Sequence, residues 1–498
     1  MKKFYITTPL YYVNDEPHIG HAYTTILADV ISRIKKVQKH DVFFLTGTDE
    51  HGQKVQEAAE KRNVSPKSHV DEYVERFKNT WEKLDINYDY FIRTTDENHQ
   101  NKVKKILHDL YNKGEIYFDE YEGLYSVSEE RFITQKEMEE GNFREIKKIK
   151  EKNYFFKMSK YKSKLIDHIK KNEKFILPKS RRNEILGFLN NDLNDLCISR
   201  PKSRLSWGIE LPFDKDYVTY VWFDALINYI SAIGYSDNEE KFNYYWPANY
   251  HLMAKDILTT HCVYWPTMLM SCNISLPKTI FAHGWWLIDD TKMSKSLGNV
   301  IKPLDLADKY GSDALRYYLM RNMVLGQDAS FTIDSFNERY NSDLANDYGN
   351  LVNRIFILIS KNFNDKIPKK NKLDLIDTNL IKNVEKLRDD SIKNFKNLKI
   401  HDGIESAICI FRLINKFLED KAPWKSIKEN KDLASTTIYL SAESLRIGTM
   451  LLYPIIPQKS QLVLITLGSN PFDNIKFGIL EENLKIDIIK NIFPRIEN

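Results

Sequence analysis

Short runs of β-favouring residues alternate with helix-period apolar stripes in the first hundred residues. Phe4 to Thr8 and Val42 to Thr46 are rich in aromatic and branched residues and predict two strands. Between them, one helix face is predicted by the apolar residues Ile19, Ala22, Ile26, Val30, Ile34 and Val37. A second stripe, from Val70 to Leu84, follows a helix start at Ser65-Pro66. This order predicts a parallel α/β sheet, in which ligands bind beyond the carboxyl ends of the strands.

Helical periods dominate from about residue 345 onward. The clearest apolar stripe runs from Ile404 to Leu418, with Asp402 as a plausible N-cap and Pro423 just beyond the end. We therefore predict that the last part of the chain is mainly α-helical.

Composition limits the possible classes of protein. At about 150 residues per domain, 498 residues predict about three domains. Hydrophobic residues make up 42% of the chain and aromatic residues 12%, which excludes a disordered protein. The four cysteines, Cys197, Cys262, Cys272 and Cys409, form no C-x-x-C pair. They exclude a disulfide scaffold, indicate a reducing compartment and disfavour a cysteine-built zinc site.

The net charge of +4 is too small to indicate a nucleic-acid partner by itself. Residues 144–182, however, hold 15 basic and 4 acidic residues, which fits either a solvated surface or a patch for a polyanion. The N-terminal apolar stretch is interrupted by Thr7, Thr8 and Pro9, so it does not resemble a signal peptide. No run approaches the ~18 apolar residues of a membrane helix. We expect a cytoplasmic protein without a membrane partner.

The first candidate motif, His18-Ile19-Gly20-His21, lies where the first helix should begin. Histidines at i and i+3 share a helix face, and a helix N-terminus favours an anion. A glycine between them allows close approach of a ligand to the backbone. The motif fits a phosphate or a planar base, although an ordinary pair of capping or surface histidines would look the same. The spacing does not match the zinc-binding pattern H-E-x-x-H.

Two further motifs carry charge suited to a substrate. Residues 291–299 place Lys292, Ser294 and Lys295 in one loop, which can stabilise charge on a leaving pyrophosphate. A plain basic surface loop is the alternative. Residues 47–52, directly after the second predicted strand, include Asp49, whose carboxylate could hold an ammonium group. A turn aspartate that bonds only to its own loop is the alternative there.

Together these motifs resemble those of the class I aminoacyl-tRNA synthetases. His18-Ile19-Gly20-His21 matches the HIGH signature, and Lys292-Met293-Ser294-Lys295-Ser296 matches KMSKS. Residues 9–14, 47–52, 220–229 and 255–257 resemble the methionyl-tRNA synthetases in particular, and the resemblance covers essentially the whole chain. It implies an α/β fold: a Rossmann-like parallel-sheet catalytic domain split by an α+β insertion, followed by a C-terminal α-helical bundle.

The resemblance also implies domain boundaries. We expect the first half of the catalytic domain at 1–114, a basic connective insertion near the tRNA acceptor end at 115–218, and the second half of the catalytic domain at 219–283. A connector with the KMSKS loop should follow at 284–345, and the anticodon-binding helices at 346–498.

The implied reaction has two steps and needs no covalent enzyme intermediate. Methionine attacks the α-phosphate of Mg²⁺-bound ATP, and the resulting methionyl-adenylate then transfers its methionyl group to the 3′ end of methionine tRNA, initiator and elongator alike. Catalysis of this kind rests on positioning and charge stabilisation. His18, His21, Lys292 and Lys295 match the catalytic positions, and Gly20, Gly284 and Ser294 match further ATP-binding positions.

Asp49 matches the carboxylate that receives the ammonium group of methionine. The other matching pocket positions share apolar or aromatic side chains that suit a thioether, and they are Leu10, Tyr12, Trp222, Ala225, Leu226, Tyr229, Ile257 and His261. Trp222 and Tyr229 could equally be plain core residues. Asn350, Arg354 and Trp424 match the anticodon site, where unpaired bases are read by stacking and edge hydrogen bonds.

The sequence departs from the family in two places. Many relatives carry a cysteine-ligated zinc knuckle in the insertion, but here Ser126 and Glu129 stand at cysteine positions and no later cysteine pair follows. Structural zinc needs four good ligands, so we expect none and a place in a zinc-free, bacterial or mitochondrial-like branch. In addition, Ala254 replaces the glycine of Ile-Gly-Lys-Asp. We also expect no appended tRNA-binding or dimerisation domain of the kind that some relatives carry, and therefore a monomer.

Three alternative functions compete with methionine activation. Synthetases for leucine, isoleucine and valine usually carry an editing domain much longer than this insertion. A cysteinyl enzyme should hold zinc through cysteines that this chain lacks. A non-catalytic protein that binds tRNA is disfavoured by the intact HIGH and KMSKS residues.

Overall fold

The computed structural model describes residues 1–126, 131–133, 138, 146–288, 291–292 and 301–497. Contacts divide the chain into two compact units. The sheet unit comprises Met1–Pro17, Asp41–Asn79 and Asn87–His283. The helical unit comprises His18–His40, Thr80–Ile86 and Gly284–Asn498. Among the described residues, no helix has both the length and the apolar character needed to cross a membrane.

The sheet unit contains fourteen described strands. Their bounds in chain order are β1 Lys3–Thr7, β2 Tyr11–Tyr12, β3 Asp41–Asp49, β4 Tyr90–Arg93, β5 Ile116–Ser126, β6 Arg131–Ile133, β7 Ile146–Phe156, β8 Ile176–Leu177, β9 Leu196–Cys197, β10 Ser199–Pro201, β11 Glu210–Leu211, β12 Asp214–Thr219, β13 Tyr250–Ala254 and β14 Ile280–His283. The first two strand predictions are confirmed by β1 and by β3, which runs three residues beyond the predicted end.

Seven of these strands form one parallel sheet. Its order is β2-β3-β1-β13-β14-β8, with β4 also paired to β3. The neighbours of β1 are therefore β3, which begins at Asp41, and β13, which begins only at Tyr250. The order of the strands therefore reverses at β1, and such a point is where ligands bind in open α/β sheets. The segment predicted as the insertion also contributes β8 to the sheet, because Ile176 pairs with Ile280.

Two smaller antiparallel sheets occupy the predicted insertion. They have the orders β6-β5-β7-β9 and β10-β12-β11. Part of the basic charge between residues 144 and 182 is neutralised locally, because Lys148 and Lys150 pair across the strands with Glu122 and Glu120 at 2.8 and 3.2 Å. Such exposed pairs contribute little to stability, but they reduce the charge available to a polyanion.

Helices cover the sheet unit. Their bounds are Gln53–Lys61, Pro66–Lys83 (which begins in this unit), Glu97–Asn112, Lys162–Lys171, Lys179–Asn190, Val221–Ser231, Glu239–Tyr245 and Trp265–Ser271, with short 3₁₀ turns at Met158–Tyr161 and Lys255–Ile257 and a π-helical turn at Thr260–Tyr264. The predicted start at Ser65 is confirmed, because its Oγ accepts a hydrogen bond from the Ser68 N–H at 3.1 Å.

The helical unit holds a small sheet and ten helices among its described residues. The strands are β15 Trp286–Ile288, β16 Thr291–Lys292 and β17 Ala329–Ser330. The helices are Ile19–Val37, Pro303–Tyr310, Ser312–Asn322, Ile333–Arg339, Asn350–Phe363, Leu375–Lys396, Ile400–Lys421, Pro423–Glu429, Lys431–Leu452 and Pro457–Thr466, with a π-helical stretch at Tyr340–Gly349. The predicted α/β sheet followed by a helical bundle is confirmed.

A buried ion cluster anchors the helix Ile19–Val37 within this unit. Asp29 Oδ2 accepts hydrogen bonds from Arg33 Nε at 2.8 Å and from Arg316 Nη2 at 2.6 Å. Arg316 is fully buried and also donates to the carbonyls of Ile455 and Pro454. A buried charge is tolerated only when it is paired in this way, so the cluster fixes the helix to the C-terminal bundle.

Asp402 does not cap its helix, so that prediction is wrong. The helix begins at Ile400, and Lys399 is the residue at the cap position. Ile400 is 2% exposed, so burying it extends the helix by one turn before the predicted stripe. Asp402 instead lies in the first turn, where a carboxylate still interacts favourably with the helix dipole.

Candidate active site

The predicted methionine-pocket residues gather around the carboxyl edge of the parallel sheet. Leu10 and Tyr12 follow β1, Asp49 is the last residue of β3, and Ile257 and His261 follow β13. Tyr12 also pairs with Asp49 in the short β2–β3 ladder. These strands meet where the chain order reverses, so the structure brings residues from three distant segments to one place.

The helix Val221–Ser231 supplies the second wall. Trp222, Ala225, Leu226 and Tyr229 occur at i, i+3, i+4 and i+7, a spacing that places them on one helix face. The last three are at most 4% exposed, whereas Trp222 is half-buried. Packing and pocket lining are compatible roles for three of them, since Leu226 and Tyr229 belong to the main apolar core of the sheet unit and Trp222 packs against it.

His261 is held in one neutral form. Its Nδ1 lies 3.0 Å from the carbonyl oxygen of Ile257, which can only accept, so Nδ1 carries the proton. Its Nε2 then accepts a hydrogen bond from the Tyr229 hydroxyl at 2.7 Å. Burial lowers the pKa of His261 to about 4 and raises the pKa of Tyr229, so both groups are uncharged near neutral pH. The Trp222 ring meets the His261 ring edge-on at 6.1 Å, which completes a neutral aromatic surface.

Asp49 ends β3 as a strand residue with 3% exposure, and it does not sit in a turn. The next two residues are fixed by other partners. Glu50 receives a two-point hydrogen bond from Arg93 at 2.7 and 2.8 Å, and His51 Nδ1 bonds to Asp224 Oδ2 at 2.6 Å. The Gly47–Gly52 segment is therefore fixed by Arg93 and by Asp224. A fixed segment suits a carboxylate that must meet an ammonium group at a defined position.

The histidine motif begins the helix Ile19–Val37 in the helical unit. His18 is its N-cap residue, and its Nδ1 accepts a hydrogen bond from the Gly20 N–H at 3.0 Å. His21 Nδ1 accepts from the His18 N–H at 3.3 Å, and the two rings stack 3.7 Å apart. Capping, the alternative considered for the sequence, is thus a real role of His18. It also has a chemical consequence: an accepting Nδ1 leaves the proton of a neutral ring on Nε2, which can donate to a phosphate oxygen.

Both glycines of the predicted ATP site are needed for close packing. A Cβ on Gly20 would lie 2.9 Å from His18 Cε1, so a larger residue would displace the capping imidazole. A Cβ on Gly284 would lie 2.0 Å from the Gln327 carbonyl oxygen. The segment after β14 therefore packs directly on the backbone of residues 327–328, and the role of Gly284 toward a nucleotide stays a prediction.

The lysine motif is described at its first lysine only, and the chain is described again from residue 301. Lys292 ends β16, paired with Leu287 of β15, while Ser294 and Lys295 lie outside the described residues. The first described residue after the loop is Ile301, whose carbonyl accepts a hydrogen bond from the Ile19 N–H at 3.1 Å. Ile301 is thus bonded to the first turn of the helix that carries His18 and His21.

No group of three or more His, Cys, Asp or Glu side chains is arranged to hold a metal ion within the described ranges. Ser126, one of the positions compared with a zinc knuckle, ends β5, and Glu129 lies outside the described residues. Magnesium would come with the triphosphate, whose oxygens are its preferred ligands, and need not have an all-protein cage.

The predicted anticodon residues lie on two helices of the helical unit. Arg354, in Asn350–Phe363, places its guanidinium carbon 4.8 Å from the ring centroid of Trp424, in Pro423–Glu429. Trp424 is 40% exposed, and Asn350 is exposed one turn before Arg354. The structure therefore brings Arg354 and Trp424 together, with an aromatic surface accessible for stacking.

Sequence reasoning assigned no role to Asp224 or to its partners. A carboxylate within the apolar stretch from Val221 to Ile230 was the available signal, because a charge there must be paired. Its two histidine partners, His51 and His99, are 173 and 125 residues away in sequence, and no local pattern identifies them.

Comparison with known proteins agrees with this geometry. The family model described as tRNA synthetases class I (M) matches residues 4–143 and 141–356, so the fold and site define a class I aminoacyl-tRNA synthetase. A second model, the anticodon binding domain of methionyl tRNA ligase, matches residues 367–490. The chain belongs to the methionyl-tRNA synthetase family.

Individual relatives agree over the full length of the chain. It is 42% identical to the methionine–tRNA ligase of Caldanaerobacter subterraneus and 44% identical to that of Clostridium tetani, in each case covering 100% of this chain and 79% of the relative. Among solved structures, Mycobacterium tuberculosis methionyl-tRNA synthetase in complex with methionyl-adenylate is similar, with a TM-score of 0.94 and 36% identity over 99% of this chain and 100% of that one.

Proposed function

We propose that this chain activates L-methionine with ATP and then transfers the methionyl group to the 3′ end of methionine tRNA, both initiator and elongator. A methionine carboxylate oxygen attacks the α-phosphorus, and the bond to pyrophosphate breaks. A ribose hydroxyl of the tRNA then attacks the acyl carbon, and AMP leaves. The observation that carries the proposal is the neutral aromatic wall of Trp222, Tyr229 and His261 at the same sheet edge as the Asp49 carboxylate.

The pocket recognises methionine through two different interactions. Asp49 receives the ammonium group through a charge-assisted hydrogen bond. The thioether is surrounded by uncharged surfaces, where sulfur–aromatic contacts contribute ~0.3–1.5 kcal/mol. The remaining predicted lining residues, Leu10, Tyr12, Ala225, Leu226 and Ile257, contribute shape. A protonated imidazole would be unfavourable here, and the depressed pKa of His261 supports its role as a neutral wall.

The nucleotide is held by the two signature motifs. His18 and His21 donate from Nε2 to phosphate oxygens, and Gly20 keeps His18 in its capping position. Lys292 and Lys295 neutralise the pyrophosphate as it leaves, with Ser294 as a hydroxyl donor in the same loop and Gly284 along the nucleotide. Mg²⁺ enters with ATP. The hydrogen bond between Ile19 and Ile301 supports joint action of the two motifs.

The remaining parts of the proposal concern tRNA, metal and assembly. Asn350, Arg354 and Trp424 read the anticodon, which the exposed ring of Trp424 and its contact with Arg354 support. The chain binds no structural zinc, which the serine at position 126 supports. It acts as a monomer in the cytoplasm, and its four free cysteines fit a reducing compartment.

Charging of tRNA tests this function. Incubation with radiolabelled methionine, ATP, Mg²⁺ and unfractionated tRNA should yield acid-precipitable label that mild base releases, as expected for an ester. Purified initiator and elongator methionine tRNAs should both be acylated. Label on other tRNAs only, or no label on either methionine tRNA, would contradict the proposal.

A further inference from the structure

A buried carboxylate joins three elements of the sheet unit next to the pocket. Asp224 is fully buried, and each of its oxygens bonds to a different histidine. Oδ2 lies 2.6 Å from His51 Nδ1, and Oδ1 lies 2.7 Å from His99 Nε2. His99 continues through its Nδ1 to the Ser231 Oγ at 2.8 Å. We call the set His51, Asp224, His99 and Ser231 the buried relay.

The relay connects the two parts of the pocket that recognise different groups of methionine. His51 lies two residues after Asp49, which takes the ammonium group. Asp224 lies on the pocket helix Val221–Ser231, which carries Trp222 and Tyr229 on the side of the thioether. Glu50, by contrast, fastens the same loop to Arg93 at the end of β4. Among these bonds, the one between His51 and Asp224 joins the loop directly to the pocket helix.

The hydrogen bonds of Asp224 favour a fixed distance between the loop that carries His51 and the pocket helix. Burial alone raises the pKa of Asp224, but the interactions with His51 and His99 outweigh it and hold the pKa below its usual value. The group is therefore a carboxylate, and hydrogen bonds to a carboxylate are shorter and stronger than neutral ones. Both histidines are at most 5% exposed, so water does not compete for these bonds.

We propose that Asp224, through His51, is a positioning residue that sets the Asp49 carboxylate at the correct distance from the thioether pocket. This inference rests on the proposed function and adds a specificity determinant that touches no substrate atom. Its direct consequence is that loss of the relay weakens recognition of the ammonium group while the thioether wall still binds.

The test is steady-state ATP–pyrophosphate exchange with Asp224→Asn. We expect the KM for methionine to rise about tenfold, equivalent to ~1.4 kcal/mol, with the KM for ATP and kcat within about twofold of wild type. The second readout is the inhibition constant of 4-(methylthio)butanoate, which is methionine without its ammonium group. That constant should stay unchanged, because this ligand does not sense where Asp49 lies.

Substitutions of His51 repeat the test without changing the charge of Asp224. The amide nitrogen of His51→Asn lies near the position of Nδ1 and can still donate, so the methionine KM should stay near wild type. His51→Leu removes the donor and should reproduce the effect of Asp224→Asn. Lys102→Met is the matched control, because Lys102 is 3% exposed and bonds to the Ser231 carbonyl at 3.2 Å without touching Asp224. It should leave both ligands unaffected.

Two results would overturn the inference. Equal weakening of methionine and 4-(methylthio)butanoate would show a general packing role, and an unchanged methionine KM in both Asp224→Asn and His51→Leu would show no role. If Asp224→Asn fails to fold, as judged by thermal unfolding, the pair His51→Asn and His51→Leu decides. Absence of methionine-dependent exchange in the wild type would instead contradict the proposed function itself.

Discussion

Replacing Trp424 with alanine should separate tRNA charging from amino-acid activation. The ring is 40% exposed and has Arg354 over it at 4.8 Å, so it offers a partly ordered surface on which a base can stack. Stacking of an unpaired base on an aromatic ring contributes ~1–3 kcal/mol. Loss of this contribution corresponds to a decrease of ~5–150-fold in kcat/KM for tRNA.

The loss of folding stability in Trp424→Ala should be small compared with its effect on tRNA charging. The Arg354–Trp424 contact is at the surface, where a cation–π interaction contributes ~0.5–1 kcal/mol. We therefore expect methionine-dependent pyrophosphate exchange within about twofold of wild type, since activation does not involve the anticodon. The assay compares initial rates of exchange and of methionyl-tRNA formation across a range of tRNA concentrations.

Two companion variants make this comparison specific. Trp424→Phe keeps an aromatic face and should retain most of the charging activity. Phe472→Ala removes an equally exposed aromatic ring, also 40%, from the same unit and should not alter charging. An anticodon role for Trp424 would be refuted if exchange fell as far as charging in Trp424→Ala, or if Phe472→Ala lowered charging to the same extent.

Three further predictions concern the nucleotide motif, pH and metal. Gly20→Ala should lower the kcat of pyrophosphate exchange about tenfold or more, because its Cβ would displace the His18 cap; an unchanged kcat would contradict this role. Burial raises the pKa of Asp313 to about 6. The folded state therefore binds more protons than the unfolded state between about pH 4 and 6. The contribution of Asp313 to the free energy of unfolding decreases as pH rises through that window. Urea titrations of Asp313→Asn should lack this contribution of about 3 kcal/mol, and identical pH profiles for variant and wild type would exclude it. Elemental analysis of chelator-washed protein should find no zinc, whereas one zinc per chain would contradict the zinc-free proposal.

Local patterns predicted the elements of this fold better than their arrangement. Apolar spacing predicted the helix Ile19–Val37, and Ser65 predicted a helix start, because these signals depend on neighbouring residues only. The pairing of β8 with β14 could not be predicted, since it joins residues more than one hundred positions apart. Asp402 shows the other limit: burial of Ile400 outweighed a local capping preference.

The residues of the candidate site also differ in how far the sequence could predict them. Residues that belong to continuous motifs, such as His18 and Asp49, could be proposed from sequence because their spacing and neighbours define them. The partners that fix those residues could not. His51, Asp224 and His99 are brought together only by the fold. A carboxylate in an apolar helix indicates that the group must be paired, but it does not identify the partners. The structure is therefore needed to identify the residues that position the others.

Pyrophosphate exchange, run separately with each of the twenty amino acids, tests most directly whether the pocket selects methionine for activation. The neutral wall of Trp222, Tyr229 and His261 with the Asp49 carboxylate predicts that methionine gives by far the highest exchange rate. Charged amino acids should give no exchange, because the wall offers no opposite charge. Exchange with a different amino acid alone, or none with methionine, would contradict the selection of methionine.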